Sequence, residues 1–69
     1  MSSQITISVN GESRDFAATA NIDDIVREIA VRGRYAVEVN GEILPKSHHS
    51  NYTLKAGDIV EVVQAIGGG

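Results

Sequence analysis

Ile59-Val60-Glu61-Val62-Val63-Gln64-Ala65 is the most apolar strand-like stretch of this 69-residue chain, and it runs directly into Ile66-Gly67-Gly68-Gly69. A strand with apolar residues on both faces belongs in the middle of a sheet. Side chains alternate along a strand, so if Val60 and Val62 face a helix-covered core, then Ile59, Glu61, Val63 and Ala65 face away from it. Such a face stays uncovered when only one helix is available. Exposed apolar residues are common singly, but a patch of them beside a strand end points to a partner site. Ile59, Val63, Ala65 and Ile66 are therefore the candidate partner-facing patch.

The rest of the chain supplies the elements around that strand. Gln4-Ile5-Thr6-Ile7-Ser8-Val9 alternates polar and apolar, with Ile5, Ile7 and Val9 inward, and meets Asn10-Gly11, a pair suited to the positive φ of a tight hairpin. The return strand, Glu12 to Phe16, alternates less cleanly and reads as an edge strand with Phe16 plugging the core. Ala17 to Ala20 reads as a connection. From Asn21 the period becomes helical: Ile22, Ile25, Val26, Ile29 and Ala30 fall on one stripe, Asn21 and Asp24 form a capping pair, and Gly33 is the expected stop. Asp23 and Asp24 at the start, and Arg32 and Arg34 at or past the end, match the helix dipole. Ala36-Val37-Glu38-Val39 is a further strand, turned at Asn40-Gly41 into Glu42-Ile43-Leu44 and ended by Pro45. Lys46 to Tyr52 reads as polar and irregular, and Leu54 to Asp58 as a turn into the last strand. The fold expected is α+β: a mixed four- to five-stranded sheet with one helix packed across one face. Residues 1–66 form the single domain and 67–69 a flexible glycine tail.

Composition narrows the function. A chain this short has little room for a water-excluding active site and buries only about 60% of its unfolded surface, so carrier or binding roles lead over enzymes. The absence of cysteine removes disulfides, thiolate metal sites and a cysteine nucleophile. A net charge of −3 with scattered bases gives no nucleic-acid or anionic-membrane footprint. No run is apolar enough to span a membrane and no signal peptide precedes the domain, so the expected compartment is the cytoplasm. The chain is expected to be monomeric alone.

Other residues have simple readings. Adjacent His48 and His49 lack the spacing and partners of a metal site, so no metal is expected. Tyr35 and Tyr52 read as partly buried phenols with wet hydroxyls, and Asp23, Asp24 and Glu28 as a solvated helix face.

Glycine packs nothing in a strand, and three together suit a thin, extended carboxyl end able to enter a narrow channel. A terminal carboxylate is ionised at neutral pH, with an ordinary pKa of about 3.3–3.7, and is a poor electrophile until activated. Adenylation would make its carbonyl carbon attackable by an amine or a sulfur donor. The chain has no phosphate-cradling glycine loop of its own, so a separate enzyme must use the ATP. No cofactor is expected to bind this chain.

Hairpin, helix, apolar last strand and glycine end together give the β-grasp architecture of ubiquitin. Three segments, Ala36-Val37-Glu38-Val39-Asn40, Ile43-Leu44-Pro45-Lys46-Ser47 and Gly57-Asp58 through Val63 to Gly69, resemble the ThiS family of sulfur carriers in thiamine biosynthesis. The resemblance implies a non-enzymatic carrier. Gly69 would be adenylated by a ThiF-type activating enzyme, receive sulfur from a persulfide donor protein, and deliver it as a thiocarboxylate to thiazole synthase. Gly67 and Gly68 would thread the tail into the partner active sites. The alternatives are the small subunit of molybdopterin synthase and a ubiquitin-like protein modifier. Ala17 to Ala20 departs from the family by lacking its usual Pro, Gly or paired Thr.

Overall fold

The computed structural model describes residues 3–64. Strands β1 (Gln4–Val9) and β2 (Glu12–Ala17) form a hairpin, followed by helix α1 (Ile22–Glu28), strands β3 (Tyr35–Val39) and β4 (Glu42–Leu44), a 3-10 turn at Lys46–His48, and β5 (Ile59–Gln64). The five strands lie in the order β2-β1-β5-β3-β4. The last strand is thus central, parallel to β1 and antiparallel to β3, as its two apolar faces require. The β2 edge is where the weak alternation of Glu12 to Phe16 placed it.

Both hairpins turn on the Asn-Gly pairs. Asn10 and Gly11 have φ of 51° and 85°, and Asn40 and Gly41 have 53° and 86°. Two successive positive φ values twist the chain in the sense that joins antiparallel strands, and Asn tolerates them better than most residues.

The helix packs Ile22 and Ile25, both fully buried, against Ile7, Val9, Phe16, Val37, Val39, Val60 and Val62 of the sheet, with Ala20 and Leu54 closing the margin. Full burial of an Ile contributes about 1.5–3 kcal/mol, so these two side chains fix the helix to the sheet. The N-terminus has the expected capping box: Asn21 accepts from the Asp24 N–H while Asp24 accepts from the Asn21 N–H. Arg27 and Arg14 pair with the acids Asp24 and Glu28, so these two acids of the helix are capped or paired as well as solvated.

The helix ends earlier than the stripe suggests. It stops at Glu28, and Ala30, with φ of 57°, takes the left-handed position that closes it; Gly33, with φ of 73°, is also left-handed but lies three residues farther on. The Ala30 N–H donates to the Arg27 carbonyl and the Val31 N–H to the Val26 carbonyl, the two bonds of a Schellman end. Val26 and Val31 both pack on the core, supplying its apolar clasp. Ala30 is consequently exposed and off the buried stripe. An L-residue in this conformation costs about 1–2 kcal/mol, against about 0.5–1 kcal/mol of extra folding entropy for glycine. Ala30→Gly should therefore stabilise the protein by about 0.5–1 kcal/mol and raise Tm by several degrees. A thermal melt with no increase would mean that the Schellman geometry is not what sets the helix end.

The segment from Lys46 to Tyr52 is more ordered than its polarity suggests. His49 is buried, stacked on Tyr35 at 6.0 Å, with its Nε2–H donating to the Leu44 carbonyl at 3.1 Å. Its Nδ1 has no hydrogen-bond partner among the described residues. The loop is thereby closed onto the end of β4.

Candidate functional site: the outer sheet face and the ends of β5

Helix α1 covers the face carrying Val60 and Val62, which are 0% and 8% exposed, and leaves Ile59 and Val63 at 56% and 57%. The division by parity is thus realised in the fold. Val63 lies opposite Ala36 across the β3–β5 ladder and lines a groove of about 310 Å³ with Arg34, Tyr35, Ala36 and Gln64. Ile59 shares the face but sits at the other end of the strand, with Glu61 between them. Of the remaining predicted site residues, Ala65, Ile66, Gly67, Gly68 and Gly69 lie outside the described residues.

Two features of this face are absent from the sequence reading. Ile43 of β4 is 63% exposed on the same face, opposite Glu38, which separates it from β5. Glu38 in turn lies opposite Glu61. Like charges paired across strands destabilise a sheet, so this face is not optimised for the isolated domain. The alternation of Glu42-Ile43-Leu44 could have exposed Ile43. The Glu38–Glu61 pairing needs the ladder register, which no local pattern contains.

Both ends of β5 are held by side chains that the sequence reading used only for their turns. At the start, Asn40 accepts from the Ile59 N–H at 2.9 Å and donates to Asp58 at 3.1 Å. Farther along, the Val62 N–H donates to Oδ1 of Asn10 at 2.7 Å, while the Asn10 N–H donates to the Val60 carbonyl at 2.9 Å. Strand β1 pairs with β5 only at Ser8–Ile59 and Val9–Val60 before turning away. The Asn10 amide therefore replaces the missing strand at Val62.

Asp58 fixes the entry to β5. It is 6% exposed and accepts hydrogen bonds from the Lys55 N–H, the Asn40 amide and the Tyr52 hydroxyl, at 3.0, 3.1 and 3.0 Å. The Tyr52 hydroxyl is thus committed to a carboxylate instead of being left to water. Burial alone would raise the Asp58 pKa, but the Lys55, Asn40 and Tyr52 hydrogen bonds and the Lys55 charge outweigh it. The carboxyl is held below its ordinary 3.8. Tyr52 moves the other way, above 10.0, chiefly by burial and then by its bond to Asp58 and that group's charge.

Among the described residues no three His, Asp or Glu side chains gather as a metal site, and no helix is long and apolar enough to cross a membrane. The architecture presents a strand end and an open sheet face, with the helix on the far side. This combination defines a ubiquitin-like β-grasp protein.

Comparison with known proteins narrows the class. The model of the ThiS family matches residues 7–69. The crystal structure of a thiamine biosynthesis protein (ThiS) from Geobacter metallireducens superposes with a TM-score of 0.77 at 30% identity, covering 94% of this chain and 100% of that one. A solution structure of a thiamine biosynthesis protein from the same organism gives 0.76 at 32% identity, covering 94% of this chain and 88% of that one. A thiazole synthase of Paramagnetospirillum magneticum (strain ATCC 700264 / AMB-1) is 42% identical over 62 residues, 88% of this chain. The chain spans only 19% of that protein's length. The chain belongs to the ThiS family, with the β-grasp fold of the ubiquitin-like sulfur carriers.

Proposed function

We propose that this protein carries sulfur for thiazole formation in thiamine biosynthesis, with the Gly69 carboxylate as the reacting group. The observation that supports this most is the extent of the family match, which runs from β1 through the three glycines to residue 69. The similarity to part of a thiazole synthase supports the thiazole branch over molybdopterin synthesis.

The chemistry follows from the weak electrophilicity of a carboxylate. A Gly69 carboxylate oxygen attacks the α-phosphorus of ATP on an activating enzyme, and pyrophosphate leaves. The terminal sulfur of a persulfide attacks the resulting carbonyl carbon and expels AMP, giving an acyl disulfide. A thiol then cleaves the S–S bond, becoming a disulfide itself, and releases the thiocarboxylate that delivers sulfur to thiazole synthase. The carrier contributes no acid, base or metal to these steps. Gly67 and Gly68 keep the approach to the carbonyl narrow.

Ordering three glycines in a partner costs about 1–2 kcal/mol each, and they return almost no side-chain contact. The folded body must supply the affinity. Val63, with Ala36 beside it and Ala65 and Ile66 following in sequence, is the surface best placed to do so, and Glu38 and Glu61 favour a basic counterpart. Burying a new carboxylate at the centre of such a patch is costly, so Val63→Asp should raise KM for the carrier at least tenfold with the fold intact. ATP–pyrophosphate exchange on a ThiF-type enzyme, dependent on this chain, measures it. Exchange that ignores the carrier would contradict the function, and a Val63→Asp variant with an unaltered KM would contradict the docking face.

A further inference from the structure

We propose that Asn10 is a positioning residue for delivery of the terminal glycines, an inference that rests on the carrier function above. Asn10 is remote in sequence from the last strand, and its place in a hairpin turn is explained by backbone conformation alone, since φ is 51°. Glycine would serve that turn equally well. What glycine lacks is the Oδ1 that accepts from the Val62 N–H at 2.7 Å.

The location of that bond gives it a role beyond the turn. After Val60, β5 loses its β1 neighbour, and from there β3 pairs with it on the other side at Val62, Val63 and Gln64, where the Gln64 amide also donates to the Arg32 carbonyl at 2.8 Å. Among the described residues, the Asn10 side chain makes the one hydrogen bond to β5 beyond Val60 on the β1 side, and Val62 precedes Gly67 by only five residues. A strand hinged on one edge can swing relative to the sheet, and the swing is amplified at its free end. Pinning Val62 to the β1–β2 turn ties the direction of the strand end, with Val63 on it, to the sheet that carries Ala36 and Ile43. A partner that docks on that face then meets the carboxylate at a fixed reach, the condition for a high effective concentration. Asn40 makes a matching bond at Ile59, but at the end of the strand away from the glycines.

The test compares Asn10→Gly, which keeps the turn and removes the acceptor, with Asn10→Asp, which keeps both. Ile7→Val serves as a control that weakens the core without touching β5's open edge. Amide hydrogen exchange at Val62 should accelerate roughly tenfold in Asn10→Gly and stay near wild type in Asn10→Asp. In ATP–pyrophosphate exchange, Asn10→Gly should raise KM for the carrier roughly five- to tenfold at unchanged kcat, the loss of one such bond. Asn10→Asp and Ile7→Val should both keep the wild-type KM. An active wild-type chain whose Asn10→Gly variant shows fast Val62 exchange but an unaltered KM would overturn the positioning role alone. So would an equal rise in KM for Ile7→Val, which would reduce the effect to general stability. A wild-type chain inert in pyrophosphate exchange would overturn the carrier function and the positioning role together.

Discussion

A chain lacking Gly68 and Gly69 is expected to fold like the full protein and to lose sulfur transfer completely. Among the described residues the core runs from Ile5 to Val62, and Gly68 and Gly69 have no side chain to add to it. Truncation should therefore leave Tm within about 2 °C, the range of a surface change. The reactive carbon behaves differently. An extended chain spans about 3.3–3.6 Å per residue, so the new terminal carboxylate at Gly67 would stop about 7 Å short of its former position. Misplacement by as little as 1 Å can cost about a hundredfold in rate, and no side chain of the body can compensate for 7 Å. Pyrophosphate exchange should fall below detection, while the truncated chain still competes with the full one for the activating enzyme through the sheet face. Residual exchange above one part in a hundred would show that the terminal carbonyl is not the group being activated.

The second large effect is at Asp58, and it concerns stability. Asp58→Ala removes the acceptor for three donors at once, and the Lys55 N–H, Asn40 amide and Tyr52 hydroxyl cannot all be rehydrated in place. Hydrogen bonds to a charged group contribute about 1.5–3 kcal/mol each in isolation. Partial solvation of Tyr52 and Asn40 brings the expected total loss to about 2–4 kcal/mol. A domain of this size has roughly 3–10 kcal/mol of total stability, so the variant should lie near its unfolding threshold. The loss is also pH-dependent. Asp58 titrates near 3.8 when unfolded and lower when folded, so its stabilisation is complete above about pH 4 and disappears as pH falls through the folded value. Tyr52, raised above 10.0 in the fold, contributes below that pH and ceases to do so as pH rises through its folded value. Urea unfolding of wild type and Asp58→Asn from pH 2 to 7 should show curves that converge below pH 4. Parallel curves across that range would place the stabilisation elsewhere.

The sequence exposed what depends on local pattern and concealed what depends on distant pairing. Alternation in Gln4 to Val9, the two Asn-Gly turns and the inward Val60 and Val62 were legible because side-chain period and turn chemistry act within a few residues. The last strand's central position followed from its two apolar faces. The helix end was missed because glycine is the usual left-handed residue, yet Ala30 accepts the strain where Val26 and Val31 can close over it. His49 and Asp58 resemble loop polars in sequence, and only the packing of Tyr35, Leu44, Tyr52 and Asn40 around them makes them buried. The roles of Asn10 and Asn40 toward β5 span 52 and 19 residues, beyond any local motif. On the candidate site, Ile59 and Val63 were readable by parity, whereas Ile43 and the Glu38–Glu61 opposition required the register.

The intact mass of the protein, taken after incubation with a ThiF-type enzyme, ATP, a persulfide donor and a thiol reductant, addresses the central assignment. One oxygen should be exchanged for one sulfur, localised by fragmentation to Gly69 and absent without ATP. An unchanged mass, or sulfur found on any residue other than Gly69, would contradict it.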